Sequence, residues 1–145
     1  MGVSNMDLKL LTRCLAIAIF VFGLISCSEP KPQAHVSFVQ PTEGATVGTT
    51  FKVVMAVEGM KVHKAGDIVP GTGHFHLIID QGEDSYIPLQ AVIVNDRSHL
   101  HFGKGQTETT LHLFPGKHTL TLQFGNGHHK SYGRDLSQTI NVTVK

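Results

Sequence analysis

Leu120-Thr121-Leu122-Gln123-Phe124 sets an apolar side chain at every second position. That period suits an extended strand with one buried face; a helix needs apolar residues three and four apart. The same period returns along the chain. Val36 and Phe38 share a face, as do Phe51, Val53, Met55 and Val57. Phe75, Leu77 and Ile79 follow, then Leu111 and Leu113, then Ile140, Val142 and Val144. The strands expected are 35–40, 50–58, 74–80, 107–113, 117–124 and 136–144, with a poorly defined middle in which Leu89 to Val94 forms a further short strand. Gly, Pro, Asn and Asp punctuate them. The Pro41-Thr42-Glu43-Gly44 turn reverses the chain after the first, and Pro115-Gly116 joins 107–113 to 117–124. The expected fold is all-β, an immunoglobulin-like antiparallel β-sandwich.

The chain before residue 35 does not share that pattern. Lys9 and Arg13 precede an unbroken apolar run, Cys14 to Ile25. As a helix this run spans about 18 Å, short of the ~30 Å hydrocarbon core of a bilayer. A basic start and a short apolar core describe a secretory signal. Leu24-Ile25-Ser26-Cys27 resembles the lipobox of bacterial lipoproteins. That resemblance implies cleavage before Cys27 and lipidation of Cys27, hence an anchor in the bacterial membrane and a periplasmic address. Ser28 after the cysteine goes with the outer membrane. The organisation expected is a lipoprotein signal peptide over 1–26, a lipidated cysteine with a flexible tether over 27–34, and the β-sandwich domain over 35–145.

The two cysteines are Cys14 and Cys27, so the sandwich has neither a disulfide nor a thiolate for a metal. Acidic and basic residues balance in it, which gives no ground for a nucleic-acid partner. Histidine is the outlier. There are ten, all from His35 onward.

Their placement carries the functional signal. In an immunoglobulin-like sandwich, the loop before strand 74–80, the approach to 107–113 and the loop after 117–124 lie at one end. His63, His74, His76, His99, His101, His128 and His129 map there; His35, His112 and His118 map elsewhere. His74 and His76 share one face of their strand, because side chains alternate. Imidazole suits copper and zinc, and histidines at i and i+2 with one from a neighbouring loop form a trigonal or open tetrahedral set. The candidate ligands are His74, His76, His101, His128 and His129. Met60 is a soft donor for Cu(I), and Asp67 or Asp96 a carboxylate ligand or an orienting partner. The alternative is that these rings hydrogen-bond to loop backbone and hold no ion. Lys104, in Gly103-Lys104-Gly105, either faces the cluster, where it disfavours a cation, or is solvated. The loop lacks the spacing of a phosphate-binding loop, and Gly103 and Gly105 read as positions for positive φ.

Three stretches, GTGHFHLIID from Gly71, HFGKGQTETTLHLFPGKHTLTLQFGNGHH from His101, and LSQTINVTV from Leu136, resemble the bacterial family called domain of unknown function 4399. The matching hallmark positions are His74, His76, His101, Gly103 to Glu108 and His118, with His128 and His129 matching a further His-rich turn. Phe75 departs from the pattern, since many members have a histidine there. The resemblance implies an exported, single-domain sandwich and no particular activity. The function expected is a lipid-anchored periplasmic His-rich β-sandwich that binds copper or zinc. The alternatives are a cell-envelope interaction domain for protein or glycan, with structural histidines and no metal, and a metal-dependent enzyme. Nucleophilic catalysis has no motif to support it.

Overall fold

The computed structural model describes residues 33–145; the expected signal segment 1–26, Cys27 and the expected tether up to residue 32 lie outside the described residues. The strands are β1 (His35–Gln40), β2 (Ala45–Val47), β3 (Thr50–Glu58), β4 (Lys61–Val62), β5 (Thr72–Ile79), β6 (His99–His101), β7 (Glu108–His112), β8 (Gly116–Gly125) and β9 (Ser137–Val144), with one 3-10 turn at Arg134–Leu136. One sheet has the order β1-β3-β7. The other runs β2-β9-β8-β5, and β4 and β6 lie end to end on the free edge of β5. β2 is parallel to β9 and β4 to β5; the other pairings are antiparallel. Strands adjacent in sequence are shared between two facing sheets, as in immunoglobulin-like sandwiches.

The alternation seen in the sequence fills the space between the sheets. Val36, Phe38, Phe51, Val53, Met55 and Leu111 face inward from one side. Phe75, Leu77, Leu120, Leu122, Phe124, Ile140, Val142 and Val144 meet them from the other. Each such side chain, fully buried, stabilises the fold by on the order of 1.5–3 kcal/mol before entropy is counted.

Two expectations are corrected. Pro115-Gly116 does not close a hairpin: β7 pairs with β3, and β8 with β5 and β9. The turn instead carries the chain from one sheet to the other, so Leu111 and Leu120 enter the shared core from opposite sheets. The reversal still puts the start of β7 at the same end as the finish of β8. Second, Leu89 to Val94 is not a strand; its ladder contact is a single bridge between Val92 and Lys130.

In addition, the outer face of β5 and β8 is covered. Residues 81–98 lie across it as irregular chain. Ile87 N–H donates to Gln123 Oε1 (2.8 Å), Ser85 Oγ meets Thr121 Oγ1 (2.6 Å), and Ser131 Oγ donates to the Ile87 carbonyl (2.7 Å). Thr121 and Gln123 are therefore fully buried, and Ile93 is buried with them. β5 is covered on both faces, which puts His74 and His76 inside the protein.

Candidate metal centre

Sheet register assembles the site. His76 stands opposite Gln123 on β8 and opposite His101 on β6. Directly opposed residues project to the same side of a sheet, so His76 and His101 are neighbours on the outer face. His74 also projects there, and its partner on β8 is Gly125. A Cβ at Gly125 would stand 2.8 Å from Ile93 Cδ1 and 3.3 Å from His76 Nε2. The missing side chain leaves room for Ile93 and keeps the His76 ring from being pressed. At Gly103 a Cβ would collide with the His101 imidazole. Gly105 has the positive φ expected of it (82°), but Gly103 does not; it is needed for a close approach instead.

His129 arrives from the turn after β8. Asn126 builds that turn. Its Oδ1 accepts from His128 N–H (2.9 Å) and Lys130 N–H (3.1 Å), and its carbonyl accepts from His129 N–H (2.9 Å). Ile93 N–H donates to the His129 carbonyl (2.8 Å). His129 has φ of 59°, a left-handed conformation that few non-glycine residues adopt, and this turns its ring back over β5.

Four imidazoles thus meet, from His74, His76, His101 and His129. All six pairs of ring centroids are 4.7 to 5.9 Å apart. Imidazoles bound at about 2.0 Å to one tetrahedral ion have ring centres about 5 Å apart. Nε2 of His76 is 3.0 Å from Nε2 of His74, and Nε2 of His129 is 3.1 Å from Nε2 of His101. His74, His76 and His101 each offer a nitrogen within 4.8 Å of the others. Among the described residues, no carboxylate or thiolate joins this set.

Burial dictates the charge state. Desolvation, with the neighbouring His101 and His129 adding to it, lowers the His74 pKa to about 4. Desolvation first, then His74, His101, His129 and His99, lowers His76 to about 2. Burial, then His129, also lowers His101. At neutral pH these rings are uncharged and keep a lone pair. The Nδ1 atoms of His74 and His76 are buried without a hydrogen-bond partner. Ligating histidines usually donate from that second nitrogen to a carboxylate or carbonyl; these two do not. Two apolar side chains here would spare the protein that cost, so the rings are poor candidates for mere core filling.

The other sequence candidates lie apart. His128 is exposed and its ring is not in the cluster. The His63 ring bonds to the Lys64 carbonyl (2.9 Å). His99 Nδ1 meets Asp96 Oδ1 at 2.8 Å. Asp96 is held below the usual carboxylate range chiefly by that bond, so it serves His99 and not the cluster. Met60 packs against the sandwich core, and Asp67 and Lys104 are exposed. His118 lies far along β8: its Nδ1 meets Asp80 Oδ2 and its Nε2 meets the Phe114 carbonyl, both at 2.8 Å. The residues that sequence reading missed are Gly125 and Asn126. The signal for them was the Gly125-Asn126-Gly127 run before the paired histidines.

The family model described as Domain of unknown function (DUF4399) matches residues 53–145, and the chain belongs to that family. The four clustered histidines fall inside the match. No curated protein matches the chain. Among solved structures it is similar to the endo-beta-1,4-mannanase from Thermotoga petrophila, at 16% identity and a TM-score of 0.46; the match covers 81% of this chain and 21% of that one.

Proposed function

We propose that this DUF4399 member binds one transition-metal ion, copper or zinc, through His74, His76, His101 and His129. The observation that carries the reading is the mutual spacing of four imidazoles, 4.7 to 5.9 Å between centroids, on elements distant in sequence. Their chemistry supports it. Neutral imidazoles suit copper and zinc, and a buried set with no carboxylate disfavours calcium and magnesium. The four histidines would give a bound ion a filled, nitrogen-only coordination sphere, suited to holding or carrying it. Residues 9–28, with the basic start, the apolar run, the lipobox-like end and Ser28, support a lipid anchor on Cys27 and a periplasmic, outer-membrane address.

Calorimetric titration of Zn(II) and Cu(II) into the compact unit Pro32–Lys145 tests this. One ion per chain is expected, with no saturable heat from a His74→Ala/His76→Ala variant. Unchanged uptake by that variant refutes the assignment. For the anchor, a Cys27→Ser chain should lose metabolic labelling by radioactive palmitate; retained label rules the anchor out.

One observation favours a second reading. The 3.0 Å and 3.1 Å contacts between Nε2 atoms pair the rings as donor and acceptor without an ion. The cluster would then be a polar brace in an envelope interaction domain for protein or glycan. On that reading neither metal produces heat in the wild type.

A further inference from the structure

The four ring positions are not equivalent, and their inequality says how the site exchanges what it holds. His74 and His76 are wholly buried on a central strand with neighbours on both sides. His101 is half-buried, but its backbone is fixed in register against His76 and its ring is seated against Gly103. These three nitrogens form the compact seat, within 4.8 Å of one another. His129 is also half-buried, and it alone comes from a turn rather than a strand. Its left-handed backbone is maintained by hydrogen bonds centred on Asn126.

Resting on the metal reading above, we propose that His129 is the exchangeable ligand. His74, His76 and His101 retain the ion, while His129 leaves it and a small monodentate donor takes the position it frees. The step is a ligand substitution. The bond from the ion to His129 Nε2 breaks, a bond to the incoming lone pair forms, and no electron or proton changes hands. Asn126 is a positioning residue that acts through His129: it sets how readily the turn gives up the ring. Supporting residues of this kind typically change metal affinity about 10- to 100-fold.

Cobalt(II) is the probe, since it accepts the same donors as zinc and its visible absorption reports coordination. The full chain loaded with cobalt is titrated with azide. The His129→Ala chain should keep its cobalt, show a changed visible band, and bind azide at a concentration about tenfold or more below the wild type. Asn126→Ala should bind azide more readily than wild type and lose cobalt to a chelator about 10- to 100-fold faster. Asn126→Asp keeps an oxygen to accept from His128 and Lys130 N–H and should restore the wild-type rate. His101→Ala should lose cobalt outright.

A His129→Ala spectrum identical to wild type overturns the inference, as does an azide response in Asn126→Ala that matches wild type. Loss of cobalt by His129→Ala to the same extent as by His101→Ala also overturns it, because the seat would then need all four rings. Wild type that takes up no cobalt, zinc or copper defeats the metal reading itself, a result distinct from all of these.

Discussion

The imidazole of His101 occupies the space that a side chain on Gly103 would need. The two residues are separated by Phe102, which is buried in the core and holds the chain in place between them. Gly103→Ala is therefore a selective probe. Its backbone φ is ordinary, the atoms it would strike are the far end of the His101 side chain, which can rotate, and the next neighbour, Ala65 Cβ, would be a tight contact at 3.2 Å. Stability should change by less than about 1 kcal/mol, while zinc affinity falls about 10- to 100-fold. Gly127→Ala should do the reverse in emphasis, since its Cβ would strike the backbone carbonyls of Asp67 and Gly66. Calorimetry and urea denaturation on both variants distinguish the two.

Acid should destabilise the metal-free protein. His74 and His76 have folded pKa values of about 4 and about 2, below the ordinary 6.5. The unfolded chain therefore binds protons first as pH falls, and this favours unfolding. The stability the neutral rings contribute is complete above about pH 6.5 and is lost as pH falls toward and through about 4, by up to about 1.4 kcal/mol per pH unit for each ring. Urea midpoints measured from pH 7.5 to 4.5 should fall in that window. A flat profile contradicts the buried, neutral assignment.

Replacing the two buried rings with leucine should separate function from stability. His74→Leu/His76→Leu removes both unpartnered Nδ1 atoms. Relieving such groups gives back on the order of 1 kcal/mol each, provided the leucines pack. The variant should bind no zinc, unfold at an equal or higher temperature than the metal-free wild type, and lose most of the acid sensitivity. Unfolding well below the wild type would mean that the rings brace the fold.

Asp80 and His118 form a separate clamp on the far part of β8. Burial acts to lower the His118 pKa, but the Asp80 hydrogen bond, the Phe114 carbonyl and the Asp80 charge outweigh it and raise the value. The clamp's stabilisation is full below about pH 6.5 and is lost as pH rises through the raised folded value. Asp80→Asn should cost about 1 kcal/mol at pH 6, a modest figure because Asp80 is half exposed. The cost should be smaller at pH 8.5, with metal affinity unchanged at both. A matching loss of affinity would tie the clamp to the centre.

The period-two pattern in Leu120-Thr121-Leu122-Gln123-Phe124 was sufficient to identify strands and their inward face, because alternation is a property of the backbone alone. It also put His74 and His76 on one face, and topology put His101 and the turn holding His129 at the same end. What local pattern does not contain is who covers a face or pairs an edge. Thr121 and Gln123 look solvent-facing until residues 81–98 are laid over them, and β7 leaves β8 for β3 because the sheet it joins is set by long-range hydrogen bonds. The same limit separates His129 from His128, adjacent in sequence: a left-handed residue in a turn built by Asn126 sends one ring inward and leaves the other in water. Residue type and order determined the strands and supplied the imidazoles. Which four of the ten rings converge was decided by register, by a turn conformation and by two glycines that leave room, all of them relations between chain segments that exist only once the sheets have packed.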